Sequence, residues 1–283
     1  ILIFGGTSFF GKQLVKDLIL EGHEITVATR GNRKPFDRVI YLQLNRNNKS
    51  SLEQLRNSSW DRVYDQICMN EQNAKDVLRL FKHVGLYIHT STGSVYDGHS
   101  SGHSEDQLDM TNYELKKLDQ SSWATGESYG ENKRRAEAVF FQQTEFPVAA
   151  IRFCIVLGQD DTSQRLIFHV ERINSGKAIF IPNLQARMSF ITQEDASSFL
   201  RLVGNNNLKG AFNISSGVLS IGEVMKIIEQ ELDKKLILTN EKEQESFSPY
   251  GIEQDWIICN KKAKEVGFKT EVDLTKYIVE LIK

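Results

Sequence analysis

Tyr129 and Lys133 stand one helical turn apart in the run Tyr129-Gly130-Glu131-Asn132-Lys133, a spacing that sets a phenol and an ammonium on one face of a helix. A cation beside a phenol favours the phenolate and lowers its pKa from about 10, which makes tyrosine usable for moving a proton near neutral pH. Such pairs also arise by chance in amphipathic helices, so the reading depends on the elements around this one.

The chain opens with Ile1-Leu2-Ile3-Phe4, a buried strand in pattern, which runs into Gly5-Gly6-Thr7-Ser8-Phe9-Phe10-Gly11. Leu14, Val15, Leu18 and Ile19 then recur at helical spacing until Gly22-His23 ends the helix, and Glu24 to Ala28 completes a β-α-β unit. A glycine-rich turn of this kind lets a pyrophosphate approach the N–H groups that open the helix. Gly5, Thr7, Ser8, Phe9, Phe10 and Gly11 are the expected contacts. The usual Gly-x-x-Gly-x-x-Gly pattern is broken at Ser8, and a purely structural turn is the alternative.

A third piece, Thr90-Ser91-Thr92-Gly93-Ser94-Val95-Tyr96, follows the strand Leu86-Tyr87-Ile88-His89. With these three pieces the chain resembles the extended short-chain dehydrogenase/reductase family, the NAD-dependent epimerase/dehydratase group, in which a Ser or Thr lies four residues before the Tyr of a Val-Tyr pair. Thr92 is the match. The resemblance continues through Ala150-Ile151-Arg152-Phe153, Leu157-Gly158, Phe190-Ile191 with Asp195-Ala196, and Gly210-Ala211-Phe212-Asn213, nearly the whole chain.

The resemblance implies hydride transfer between a substrate carbon and a nicotinamide, with Tyr129 as acid and base. Lys133 would lower the pKa of Tyr129 and hold the nicotinamide ribose, and Thr92 would hydrogen-bond the substrate oxygen. It also implies cofactor contacts at Ile67, Cys68, Thr90 and Phe153, beside Tyr129 and Lys133 themselves. Sugar-nucleotide 4,6-dehydratases carry Asp and Glu directly after this Thr, whereas this chain has Gly93 and Ser94. Elimination is therefore disfavoured, leaving epimerisation or carbonyl reduction of a sugar nucleotide or related small molecule. Ser94 and Arg187 are candidate substrate contacts. The Asn that epimerases place three residues after the Arg of the sixth strand is here Ile155, which weakens the case for a sugar nucleotide.

Cofactor choice is read at the end of the second strand, where an acidic residue would clamp the ribose hydroxyls of NAD. Ala28-Thr29-Arg30-Gly31-Asn32-Arg33-Lys34 offers no carboxylate, but three cations and a hydroxyl where a 2′-phosphate would sit. NADP(H) is expected through Thr29, Arg30, Arg33 and Lys34, with NAD as the alternative. Asn45, after the third strand, would stand near the adenine.

The chain of 283 residues, with a formal net charge of -2, suffices for a dinucleotide-binding core and a smaller lobe, and its balance speaks against a general nucleic-acid binder. Cys68, Cys154 and Cys259 are widely spaced, which suggests neither a disulfide framework nor a zinc knuckle and fits a cytoplasmic setting. Arg152 interrupts the longest apolar run, so no membrane span is expected. A strand at residue 1 speaks against a lost targeting segment ahead of it. His99, His103 and Glu105 have a spacing that could ligate a metal, but no fourth ligand accompanies them and no metal is expected. Cys68 reads as a buried structural thiol.

Strands near 38–44, 62–68, 84–90 and 148–153 alternate with helices near 51–57, 71–83 and 129–145. This is the rhythm of an α/β, Rossmann-type doubly wound parallel sheet with a smaller C-terminal α/β substrate lobe. The expected division is 1–157, with 190–216 returning to it, against a lobe of 158–189 and 217–283. Further helices are expected near 163–175, 193–203 and 220–232, with a short strand at 178–181. The polar stretch from Asp97 to Ser128 reads as a functional loop. The resemblance also implies a homodimer through the helices near 71–83 and 129–145, with Arg134, Glu137, Ala138 and Phe141 on an arc away from the cofactor where a partner would cover Phe141; the alternative is that Phe141 tucks into its own core beside Phe140. A different class of function stays open, because the Gly-Gly-Thr-x-Phe-x-Gly start is also similar to chloroplast RNA-associated proteins of the same superfamily.

Overall fold

The computed structural model describes residues 1–33, 35–115 and 127–283, with the side chains of all but residues 127 and 128 among them. Lys34, assigned above to the cofactor, and residues 116–126 of the polar stretch lie outside the described residues. The first half of the chain forms β1 (Leu2–Phe4), α1 (Phe9–Leu20), β2 (Thr26–Thr29), β3 (Ile40–Gln43), α2 (Lys49–Leu52), β4 (Ser58–Asp65), α3 (Glu71–Leu78), β5 (Phe81–Thr92), β6 (Ser100–His103) and α4 (Glu127–Gln142). It continues through β7 (Val148–Phe153), β8 (Ile155–Leu157), α5 (Arg165–Asn174), β9 (Arg187–Thr192), α6 (Gln193–Asn205), β10 (Gly210–Ile214), β11 (Gly217–Ser220), α7 (Ile221–Leu232), β12 (Trp256–Ile258), α8 (Lys261–Glu265) and α9 (Leu274–Ile282).

Among the described residues, seven strands pair in parallel in the order β10-β7-β5-β4-β1-β2-β3. Helices cover both faces, which is why the central strands read as unbroken apolar runs. On one face Leu14, Val15 and Leu18 of α1 share a core with Phe199 and Val203 of α6; on the other, Ala74 and Val77 of α3 share one with Ala136 and Phe140 of α4. The strand order reverses on either side of β1, so its carboxyl end opens onto the crevice where such sheets bind ligands.

A second sheet, β11-β9-β12-β6 with β8 paired to β9, stands beside the first. Its apolar face packs on α7 and α9 through Phe190, Val224, Ile228, Leu274 and Ile278. The stretch 190–216 divides accordingly: β9 lies in the second sheet, while β10 pairs with β7 in the first.

Several boundaries differ from expectation. The helix expected to reach residue 83 stops at Leu78, because from Phe81 the chain already pairs with β4. Long-range pairing overrides helical periodicity there. Residues 178–181 make only the isolated bridges Ile179 to Leu238 and Phe180 to Phe247. The polar stretch after Asp97 supplies β6, which pairs in parallel with β12, a contact no local pattern announces.

The arc of α4 assigned to a partner subunit needs correction. Glu137 and Ala138 are fully buried in their own chain, and Phe141 packs half-buried against the core below α4. Glu137 receives Arg152 of β7 through Nη2 at 2.7 Å and Nε at 3.2 Å, and it accepts a hydrogen bond from Ser91 Oγ. Arg152 Nη1 donates to the Tyr96 hydroxyl at 2.8 Å, which donates to Asn213 Oδ1 at 2.7 Å. The network ties α4 to β5, β7 and β10 directly beneath the run 90–96. A buried charge pair of this kind specifies one arrangement more than it adds net stability.

Candidate active site

The turn after β1 explains the missing glycine. Ser8 has an extended backbone at φ -150, which any residue adopts, and the left-handed position falls on Phe9 at φ 50. Ser8 makes no side-chain cap, so the first-turn N–H groups of α1 remain open to an anion. Gly11 has no room for a side chain, since a Cβ there would lie 2.5 Å from the Gly5 carbonyl oxygen and 2.2 Å from Gln66 Oε1. Gln66 Nε2 and Thr90 Oγ1 are buried polar atoms with no partner among the described residues, which suits a crevice built to receive a polar cofactor.

Thr92, Ser94 and Tyr129 meet at the carboxyl end of β5 in a cavity of about 470 Å³, together with Phe9, Phe10, Thr90 and Phe153. Close approach of α4 makes this possible: a Cβ on Gly130 would lie 2.2 Å from the Ser94 carbonyl oxygen. Thr92 and Tyr129 are hydrogen-bonded through their side chains, and Thr92 Oγ1 also accepts from Ser94 N at 3.2 Å. Tyr129 is 41% exposed, its ring forming part of the cavity wall.

Lys133 lies beneath this wall, 2% exposed, donating from Nζ to the carbonyl oxygens of Cys68 at 2.7 Å and Thr90 at 2.8 Å. An ammonium has three donors, so one remains for a ribose hydroxyl. Burial pulls its pKa down, opposed by Asp65 and Glu137. Tyr129 differs from expectation. Burial raises its pKa, and the groups that oppose the rise are the Thr92 hydrogen bond and the charge of Arg165. Lys133 turns its charge to the backbone instead, and the cation facing the phenol is Arg165, which the sequence reading did not single out.

Other expected contacts distribute around the crevice. Thr7, Ser8 and Arg33 line a recess of about 290 Å³ with Lys12, Pro35 and Asp160. Thr29 ends β2, and Arg30 and Asn45 follow the carboxyl ends of β2 and β3; Arg30 and Asn45 are exposed. Ile67 is partly exposed, whereas the Cys68 thiol is fully buried with its pKa pushed up to about 11, so Cys68 offers only its backbone to the site. Arg187 is bound to Asp255 through Nε at 2.9 Å and Nη2 at 2.5 Å and does not line the cavity. His103 stacks on Tyr96 at 4.7 Å and Glu105 accepts from Asn213 N at 2.7 Å, so both brace β10.

Sequence reasoning missed the facing wall, made by Ile155, Val156, Asp161, Arg165, Met188 and Trp256 among others. A Cβ at Gly93 would meet the Trp256 ring at 2.5 Å, so an indole fills the space beside Thr92.

The doubly wound sheet, the glycine turn at its switch point and the Thr, Tyr and Lys at its carboxyl edge define a Rossmann-type dinucleotide-binding fold. The chain belongs to the NAD dependent epimerase/dehydratase family, whose profile matches residues 1–215. Among solved structures it is similar in fold to UDP-glucose 4-epimerase of Thermus thermophilus in complex with NAD, with a TM-score of 0.72 and 15% identity, over 99% of this chain and 98% of that one. UDP-glucuronic acid 4-epimerase of Bacillus cereus in complex with NAD gives 0.75 and 16%, over 100% and 96%. The dTDP-glucose 4,6-dehydratase of Streptomyces venezuelae gives 0.75 and 18%, over 99% and 95%. A curated relative, the chloroplast stem-loop binding protein of 41 kDa b from Arabidopsis thaliana, is 25% identical over 240 residues. That match takes in 76% of this chain and spans 58% of the relative's length. No described helix is long and apolar enough to cross a membrane.

Proposed function

We propose that the protein catalyses nicotinamide-dependent oxidation and reduction at a hydroxyl-bearing carbon of a small molecule, without elimination. The observation that carries this reading is the Thr92–Tyr129 hydrogen bond inside the cavity, with Lys133 directly beneath it. A bound nicotinamide would supply or accept the hydride. Thr92 orients the substrate oxygen, Tyr129 exchanges its proton, and Lys133 braces the strand ends and offers one N–H to the ribose. Gly93 and Ser94 lack the carboxylates that elimination requires, which leaves epimerisation or carbonyl reduction. NADP(H) is the cofactor we infer, supported by Arg30 and Arg33 and by the absence of an acid after β2, while the structural neighbours carry NAD. A homodimer is the assembly implied by the family resemblance, and sedimentation tests it.

The experiment is the absorbance of reduced cofactor during incubation with ketones and sugar nucleotides. Tyr129→Phe should lower turnover by about a hundredfold or more with cofactor affinity retained, and Lys133→Met should weaken both. Full turnover in the Phe variant removes the phenol from the mechanism. A second reading, RNA binding, has the stem-loop binding relative behind it and the formal net charge of -2 against it. Retention of a labelled RNA stem-loop in a gel-shift titration would favour it.

A further inference from the structure

We propose that the cavity takes a compact alcohol or ketone bearing a carboxylate, with the acid seated on Arg165 and the carbon skeleton lying against Trp256. The reacting end, at Thr92 and Tyr129, rests on the hydride-transfer reading; the substrate class is the new element.

Arg165 opens α5 on the wall facing Tyr129, exposed into the cavity, and its side chain has no hydrogen-bond or ion-pair partner among the described residues. Among the described residues it makes no ion pair with the acid on the same wall, Asp161, whose carboxylate accepts from Ser163 N at 2.8 Å and Ser163 Oγ at 2.7 Å. Tyr250, behind this wall, is 1% exposed and does not line the cavity, so the anion's donor is Arg165. A free guanidinium is the donor a planar, singly charged anion uses.

A diphosphate is a poorer match. It would bring two negative charges to one free cation, because Arg187 is committed to Asp255 outside the cavity. Ile155, Val156, Met188 and Ile252 make an apolar stretch of the wall without side-chain donors, and the remaining donors on that wall, Thr162, Ser163 and the Trp256 indole N–H, are uncharged. Size points the same way. Ligand pockets for drug-sized molecules run from about 300 to about 1,000 Å³, and this cavity of about 470 Å³ is bordered by residues on both the nicotinamide and the substrate sides. The Trp256 indole, packed against Gly93, supplies a flat apolar surface beside Thr92 for a ring or short chain.

The test is calorimetric binding to the protein saturated with NADP+, which cannot reduce a ketone, using three probes: 4-oxocyclohexanecarboxylate, its methyl ester and UDP-glucose. The acid should bind about tenfold or more tightly than the ester, and more tightly than UDP-glucose. Arg165→Gln, a change at an exposed side chain, should bring the acid down to the ester while leaving the ester unchanged. Trp256→Phe, which keeps a ring against Gly93, should weaken acid and ester by the same few-fold factor. Equal binding of acid and ester, tighter binding of UDP-glucose, no binding of the acid at millimolar concentration, or an acid preference that survives Arg165→Gln would each overturn the proposal. Binding is read in a complex that cannot turn over, so an acid-selective site whose ligand leaves NADPH unoxidised in a separate absorbance assay would support the proposal and count against the hydride-transfer reading alone.

Discussion

On the proposed nucleotide side of the crevice the candidate contacts come from three short runs, 5–11, 90–94 and 129–133, held where β1, β5 and α4 converge. The facing wall gathers Ile155, Arg165, Met188 and Trp256 from β8, α5, β9 and β12. The first wall works largely through backbone: open N–H groups at α1, carbonyls that hold Lys133, and a helix that approaches a strand end at a glycine. It therefore tolerates Ser8 in place of glycine. The second works through side chains, and there residues specify one another, as Gly93 and Trp256 do. Divergence of substrate is expected on the side-chain wall, while the backbone wall keeps one chemistry.

The strongest way to break the nucleotide wall is from below. Glu137 and Arg152 are both fully buried, and Glu137 also holds Ser91. Glu137→Ala leaves an uncompensated guanidinium under the run 90–96 and should cost about 3–5 kcal/mol in a urea unfolding series. A loss under about 1 kcal/mol would mean that the pair does not hold that wall. Gly130→Ala attacks the same wall from the side. The new methyl would meet the Ser94 carbonyl oxygen at 2.2 Å, so α4 must retreat and Tyr129 with it. Turnover should fall by about a hundredfold, with a smaller change in cofactor affinity.

These two residues also show where the sequence was readable. The β-α-β opening and β7 with its returning partner β10 follow from local periodicity, and the structure assembles them so; Tyr129, read from its spacing, and Thr92, read from the family resemblance, line one cavity, with Lys133 outside its lining. Glu137 was assigned to a solvent or partner arc because helical periodicity cannot reveal that Arg152, on a later strand, waits beneath it. Lys133 was assigned to the phenol because spacing fixes a face and says nothing of the Cys68 and Thr90 carbonyls that capture the ammonium. The facing wall was invisible for the same reason. Its residues lie far apart in the chain and carry no shared spacing.

Acid should weaken both walls. The facing wall is braced by His169, whose neutral ring donates from Nδ1 to the Arg165 carbonyl oxygen at 2.7 Å and accepts at Nε2 from the Ser248 hydroxyl at 2.7 Å. Burial lowers its pKa from 6.5 to about 4. The unfolded chain thus takes up a proton that the folded chain refuses, and the stability is complete above about pH 6.5 and declines as pH falls towards about 4, by up to about 1.4 kcal/mol per unit. His89, beneath the nucleotide wall, is shifted in the same direction by burial. Urea midpoints at about pH 7 and about pH 5 should therefore fall with acid. His169→Gln should flatten the dependence in part, and an unchanged slope would remove His169 as its source.

The smallest effect expected lies at the outer edge of the nucleotide wall, where the contacts pass from backbone to side chain. Arg30 follows β2 on an exposed turn, and Gly31, at φ +90, donates from its N to Thr29 Oγ1 at 3.4 Å. The Arg30 side chain has no partner among the described residues, and Arg33 borders the recess beside Thr7 and Ser8. Both are solvated, so their attraction for a 2′-phosphate is screened by salt. NADPH should bind about tenfold more tightly than NADH at low salt, and Arg30→Ala should reduce the ratio to about threefold. Raising the salt should compress the ratio in the parent protein more than in the variant. Equal or reversed affinities in the parent would sink the NADP preference, whereas a ratio untouched by Arg30→Ala would move the phosphate contact to Arg33.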